Sequence, residues 1–246
     1  MKVRIWVGRM AILDLLLAGL LIGIRLWNAN QFMPTILYQE TDITETKKGA
    51  QNGPPDKEKQ YEGKRIALTF DDGPDPRYTE KLLDGLKERG VKATFFITGA
   101  NAAKYPDIVK RIQEEGHLIG NHTYHHVQLT SANGEQFRNE IISTNEVIRE
   151  ITGEDTEYIR PPYGSWNKKY EEELNMFPVL WSIDPRDWCS DDTACIVQNT
   201  IGKIKEGDII LLHDQYPSSV SAALEIVDRL QQEGYVFVTV EELLLD

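Results

Sequence analysis

The chain has 246 residues, 41% of them hydrophobic and 27% charged, which is enough apolar material for a sizeable core and too much for a disordered chain. Eight basic and seven acidic residues fall in 1–63, so the other 19 basic and 32 acidic residues leave about −13 on 64–246. That charge excludes a nucleic-acid partner, which would need a positive footprint, and two cysteines are too few for a disulfide-stapled scaffold.

The N-terminus reads as a targeting segment. Lys2, Arg4 and Arg9 precede an apolar run from Met10 to Ile24, interrupted by Asp14 and closed by Arg25. A basic start before such a run is held on the inner side by the export machinery. The run is short of the roughly 20 residues of a full span, so two readings stand over 1–27. One is a single uncleaved membrane anchor, favoured by the lack of an Ala-x-Ala pattern; the other is a secretory signal removed after export. Both put the remainder outside the cytoplasm. Residues 28–63 are rich in Gln, Asn, Thr, Lys and Glu, with Gly53-Pro54-Pro55 near the end, and read as a flexible linker. The folded domain is expected over 64–246.

Within it, apolar or β-branched runs at 65–70, 92–98, 117–121, 157–160, 178–183, 208–212 and 235–239 predict seven strands. Helical spacing fills most of the gaps. Leu82, Leu83 and Leu86 share a face over 78–89, and Ile108, Val109 and Ile112 do so over 105–115. The longest helix, 134–151, carries Phe137, Ile141, Val147, Ile148 and Ile151, and Gly90, Gly116, Gly153 and Gly234 act as stops. Strands alternating with helices imply a parallel sheet, and seven units fit an irregular (β/α) barrel with one unit missing. In such barrels the chemistry sits at the C-terminal strand ends.

Those ends are chemically loaded. The first strand runs into Thr69-Phe70-Asp71-Asp72-Gly73-Pro74 and the third into Asn121-His122-Thr123-Tyr124-His125-His126. Arg160-Pro161-Pro162-Tyr163-Gly164, Asp184-Pro185-Arg186-Asp187-Trp188 and Leu211-Leu212-His213-Asp214 follow the later strands. All five histidines (117, 122, 125, 126 and 213) lie at or beside strands three and six. Two imidazoles and a carboxylate suffice to bind a divalent ion with positions left open. Adjacent aspartates can divide the labour, one binding metal and one taking a proton from water. A distant His can protonate a leaving group, and Arg160 supplies a fixed charge to hold a carboxylate ionised.

The five blocks, in this order, resemble the polysaccharide deacetylase (NodB-homology) domain of carbohydrate esterase family 4 over roughly 64–246. The resemblance implies a distorted (β/α) barrel and metal-dependent removal of acetyl groups, usually N-acetyl from N-acetylglucosamine polymers. By position, Asp71 resembles the catalytic base, and Asp72, His122 and His126 the ligands of one divalent ion, zinc by default, with cobalt, nickel or manganese as substitutes. Arg160 is similar to the residue that positions the base. Tyr163 is expected to offer its backbone N–H to the oxyanion and Asp187 to tune His213, the general acid. Trp188 and Leu211 look like walls of an acetyl pocket, with Tyr163 beside them. With an anchor, the expected substrate is the cell's own peptidoglycan, processed by a monomer. A chitooligosaccharide deacetylase, an acetylxylan esterase and a carbohydrate-binding pseudoenzyme are the alternatives.

Spacing alone would let His125 replace His126. His117, inside a predicted strand, reads as a core residue, and Asp184 as a loop-orienting one. Cys189 and Cys195 are expected to form a local disulfide, which an oxidising compartment permits, with two free thiols as the alternative.

Overall fold

The computed structural model describes residues 63–245. The expected anchor over 1–27 and the linker over 28–63, apart from its last residue, lie outside them. Among the described residues no helix is long and apolar enough to cross a membrane.

The first strand, β1 (Lys64–Asp71), is buried from Ile66 onward on both faces, as a strand covered on two sides must be. Its period of two sorts the side chains. Ile66, Leu68 and Phe70 join the main core beneath the helices, while Ala67 packs with Phe96, Tyr158, Val179 and Val240 in a separate cluster. Thr69 and Asp71 follow Ala67 on that inner side by register. After β1 come α1 (Thr79–Glu88), β2 (Thr94–Ile97), α2 (Gly99–Lys104), α3 (Pro106–Glu114), β3 (Leu118–Asn121) and α4 (Gly134–Thr152). The second half holds β4 (Tyr158–Ile159), α5 (Lys169–Leu174), β5 (Phe177–Pro178), α6 (Thr193–Ile201), β6 (Ile209–His213), α7 (Pro217–Gln232), β7 (Tyr235–Val238) and α8 (Val240–Leu244).

The helices form where the apolar spacing predicts. Leu82, Leu83 and Leu86 of α1 and Ile108, Val109 and Ile112 of α3 are buried, and α3 opens with Pro106 at a position that needs no N–H. On α4 the buried face is Phe137, Ile141, Thr144 and Ile148, and Gly153 at φ +76 ends the helix with a left-handed cap. Asp192 starts α6 by accepting the N–H groups of Ala194 and Cys195.

All seven strands pair in parallel, in the order β5-β4-β3-β2-β1-β6, with β7 on the first half of β1. The architecture is the irregular (β/α) barrel expected, and it departs from expectation at two strands. The run 157–160 yields only two strand residues, and 178–183 shrinks to Phe177–Pro178. The cause is Arg160. Its Nε donates to the Val179 carbonyl and its Nη2 to the Leu180 carbonyl, each at 3.1 Å, so these acceptors serve a side chain instead of a neighbouring strand. Three residues later the chain reaches β6: Ile183 bridges Ile210, and Leu211 N–H donates to the Ile183 carbonyl at 2.9 Å. Residues 177–183 therefore join β4 to β6 and close the curled sheet.

Arg160 itself is fully buried. Its Nη1 donates to Asp71 Oδ1 at 2.8 Å and to Thr69 Oγ1 at 2.6 Å, and the guanidinium lies 4.3 Å from the Phe96 ring centre. The barrel centre is thus a cation whose donors are met by two carbonyls, a hydroxyl and a carboxylate. Such saturation is what offsets the cost of taking its charge out of water.

Candidate active site

At the end of β1 the chain turns sharply. Asp72 has φ +72, a left-handed conformation that costs a residue with a β-carbon about 1–2 kcal/mol. Gly73 must be small, because a β-carbon there would stand 2.5 Å from Asp214 Oδ2. A second turn follows β3. Asn121 donates from Nδ2 to the Ile141 carbonyl (2.9 Å) and to Asn145 Oδ1 (2.6 Å), and its Oδ1 accepts from Thr123 N–H (2.7 Å). Thr123 and His126 also take positive φ, at 62° and 56°.

These turns bring three side chains together. Nε2 of His122 and Nε2 of His126 each lie 3.4 Å from Asp72 Oδ1. His122 is buried, and its Nδ1–H donates to the Arg160 carbonyl at 2.5 Å, which leaves Nε2 with its lone pair in the neutral ring. Burial pushes His126 down, towards the neutral imidazole. Burial also pushes the Asp72 carboxyl up, but His122, then His126 and His213, outweigh it and hold the group at about 2. Asp72 Oδ1 is nevertheless buried without a hydrogen-bond partner among the described residues. Three atoms able to ligate a metal therefore converge on one point. Atoms bound at about 2.0–2.2 Å around one ion stand roughly 3–3.5 Å apart, so the residues present fit a divalent cation. Asp72, His122 and His126 would hold it.

His125 does not join them. Its backbone N–H and Nδ1–H donate to the two carboxylate oxygens of Glu140 at 2.6 and 2.9 Å, and the side chain is 66% exposed. Asp71 is buried beside the cluster, with Oδ1 on Arg160 and Oδ2 3.7 Å from His122 Nε2. On the adjacent strand β6, His213 is the register partner of Asp71, and buried Asp187 accepts the His213 backbone N–H on Oδ2 (2.7 Å) and Nδ1–H on Oδ1 (2.9 Å). Burial pulls the His213 imidazole down, but Asp187, reinforced by the charges of Asp71 and Asp72, raises it to about 9. Asp187 follows Arg186, which sits at φ +60 and donates its N–H to Asp184 Oδ1 at 2.8 Å.

Tyr163 occupies a tight turn over Pro162–Gly164 at φ +59, and its exposed ring lies 5.0 Å from that of His126. The turn's backbone bonds come from the N–H groups of Gly164 and Ser165, which donate to Pro161 and Pro162. Trp188 is 53% exposed and Leu211 nearly buried; Leu211 lies two residues before His213 and so on the same face of β6.

The disulfide is not formed. Both cysteines are free: Cys189 Sγ–H donates to the Arg186 carbonyl at 3.2 Å, and Cys195 Sγ accepts from Asn199 Nδ2 at 3.5 Å along α6. Each sulfur is engaged with its own local backbone or helix neighbour. His117 is a buried core residue, accepting Ala93 N–H on Nδ1 at 3.1 Å, and burial pushes it down to about 4.

Several supporting residues carry no signal in the motifs. Glu140, which pins the His125 backbone, comes from α4, and only the fold brings it there. Thr69, Asn121 and Asp214 stand inside the motif blocks, where polar residues on an otherwise apolar strand are the one available cue. Asp214 is wholly buried, takes the Thr79 hydroxyl at 2.5 Å on Oδ2, and is pushed up to about 7 by burial.

The sequence profile described as polysaccharide deacetylase matches residues 58–179. A peptidoglycan-N-acetylglucosamine deacetylase of Bacillus cereus is 43% identical over 190 residues, covering 74% of this chain and 69% of that protein. The peptidoglycan-N-acetylglucosamine deacetylase PgdA of Listeria monocytogenes is 38% identical over 77% of this chain, which spans only 41% of that longer protein. The solved structure of the peptidoglycan deacetylase PdaC from Bacillus subtilis superposes with a TM-score of 0.71 at 39% identity, over 74% of this chain and 90% of that one.

Proposed function

Because the chain belongs to the polysaccharide deacetylase family and is a hydrolase of amide bonds, we propose that it removes the acetyl group from N-acetylglucosamine residues of cell-wall peptidoglycan. The observation that carries this reading is the convergence of Asp72, His122 and His126 together with a buried Asp71–Arg160 pair and a partly buried His213–Asp187 pair. The names of the Bacillus cereus and Listeria relatives support the choice of glycan.

A bound divalent ion, zinc by default, would supply Lewis acidity to the acetyl carbonyl and lower the pKa of water beside it. The protein's residues do the rest. Arg160 occupies Asp71 Oδ1 and fixes that carboxylate in place, so Oδ2 is the atom that takes the proton of the attacking water. The Tyr163 N–H meets the oxyanion that develops on the carbonyl. His213, with Nδ1–H committed to Asp187, delivers the proton on Nε2 to the departing glucosamine nitrogen. Trp188, Leu211 and Tyr163 wall the acetyl methyl and exclude larger acyl groups.

Acetate release should be highest on peptidoglycan, lower on chitooligosaccharides and lowest on acetylated xylan. The reverse ranking would move the assignment to one of the other two substrates, and no release from any would leave a binding protein. The enzyme is proposed to act as a monomer outside the cytoplasm, held by residues 10–27 and tethered by 28–63. A coil of about 36 polar residues spans on the order of 30–35 Å, enough to sweep glycan near the membrane. Deleting 1–63 should leave kcat/KM on small oligomers within about 2-fold and abolish membrane fractionation, since no strand-end block is lost. Mature protein free in the medium and starting beyond residue 27 would instead identify a cleaved signal.

A further inference from the structure

The left-handed backbone of Asp72 is gripped from both sides. Its carbonyl oxygen accepts two hydrogen bonds, from Asn101 Nδ2 at 2.8 Å and from Gln215 Nε2 at 3.0 Å. Asn101 lies on α2, just after β2, and Gln215 lies two residues after the end of β6. These are the strands that flank the second half of β1, so each neighbour contributes one amide to the same oxygen. The following peptide is held as well: the Gly73 carbonyl accepts from Thr98 N–H at 3.1 Å, and Gly73 rests against the Asp214 carboxylate.

A carbonyl has two lone pairs, and here side-chain amides take both. Helices and strands satisfy carbonyls with backbone donors; two long side chains committed to one exceptional residue point to a specific task. Positive φ at a residue with a β-carbon is unfavourable and persists where the surroundings over-determine it. If the Asp72 peptide relaxed towards the ordinary regions, the direction of its β-carbon would change. Oδ1 would then leave the point that it shares with His122 and His126. Neither Asn101 nor Gln215 is among the three converging side chains, so their effect would pass entirely through Asp72.

We propose that Asn101 and Gln215 are positioning residues, a two-amide clamp that sets metal affinity by fixing the backbone of Asp72. The proposal rests on the reading of Asp72 as a metal ligand.

The test is titration of the full-length chain with zinc against a chromophoric chelator, on Asn101→Leu, Gln215→Met, the double variant and Asp72→Asn. The Leu and Met side chains keep approximate size and remove the donor. Loss of groups that orient a ligand typically weakens metal binding about 10–100-fold. Each single variant is expected to fall near the lower end and the double near the upper end. At saturating zinc, kcat should return to within about 3-fold of wild type. A purely structural role would lower the apoprotein melting temperature and leave zinc affinity of the folded fraction unchanged. Wild-type affinity in both folded single variants overturns the clamp, whether or not the double variant folds. Wild-type affinity in Asp72→Asn would overturn the ligand assignment itself, a separate failure.

Discussion

Chelation should abolish acetate release, and added zinc, cobalt, nickel or manganese should restore it. Asp72 Oδ1 is a buried oxygen with no hydrogen-bond partner among the described residues, and it faces Nε2 of both His122 and His126 at 3.4 Å. Leaving such an acceptor unpaired costs about 1–3 kcal/mol, and a cation bound there would relieve it. His126→Ala should therefore weaken metal binding by more than about 100-fold, beyond the range expected for outer groups. His125→Ala should change it less than about 3-fold, because that ring is committed to Glu140. Thermal unfolding gives a second readout. Metal at 100 times its Kd should stabilise the wild type by about 2.7 kcal/mol, and His126→Ala should show almost none of that shift at the same concentration. If His125→Ala is the variant that loses metal, the ligand assignment is wrong.

The barrel and the strand-end blocks were legible because they rest on local chemistry. Ile66, Leu68 and Phe70 alternate with Ala67, Thr69 and Asp71, and that period is visible before any fold is known. The His and Asp residues stand out because such groups are rare at the end of a buried strand. What stayed hidden depends on long-range hydrogen bonds. Nothing in Val179-Leu180 says that these carbonyls will turn to Arg160 and end β5 after two residues. The positive φ angles of Asp72, Thr123 and His126 are equally silent, since none of them is glycine. The spacing of Cys189 and Cys195 permits a bond but does not specify which way either sulfur points, and in the fold each turns to a different neighbour. Glu140, Asn101 and Gln215 are ordinary surface types in the sequence, and only tertiary packing brings them to the turns that carry Asp72 and His125.

Asp71→Asn is expected to lower turnover about 10²–10⁴-fold, the usual contribution of a positioned base, with metal affinity within a few-fold of wild type. The amide can still accept from Arg160, but it puts a donor or a weak acceptor where the carboxylate Oδ2 stood. It also leaves a buried guanidinium without its counter-charge; breaking such a pair costs about 3–5 kcal/mol, so rates must be read on protein shown to be folded. The proton donor is tested by pH. Burial pulls His213 below its ordinary 6.5, but Asp187, then Asp71 and Asp72, carry it to about 9. A general acid works in its protonated form, so activity is present below this pKa and falls as pH rises through it. A bound cation compensates the Asp71 and Asp72 charges, which places the falling limb of the loaded enzyme below 9. Asp187→Asn removes the hydrogen-bonded carboxylate and should move that limb lower still, so that activity fails at a pH where the wild type is fully active. A falling limb of kcat/KM that stays in place in Asp187→Asn would remove the His213–Asp187 pair from proton delivery, and activity near wild type in Asp71→Asn would remove Asp71 as the base.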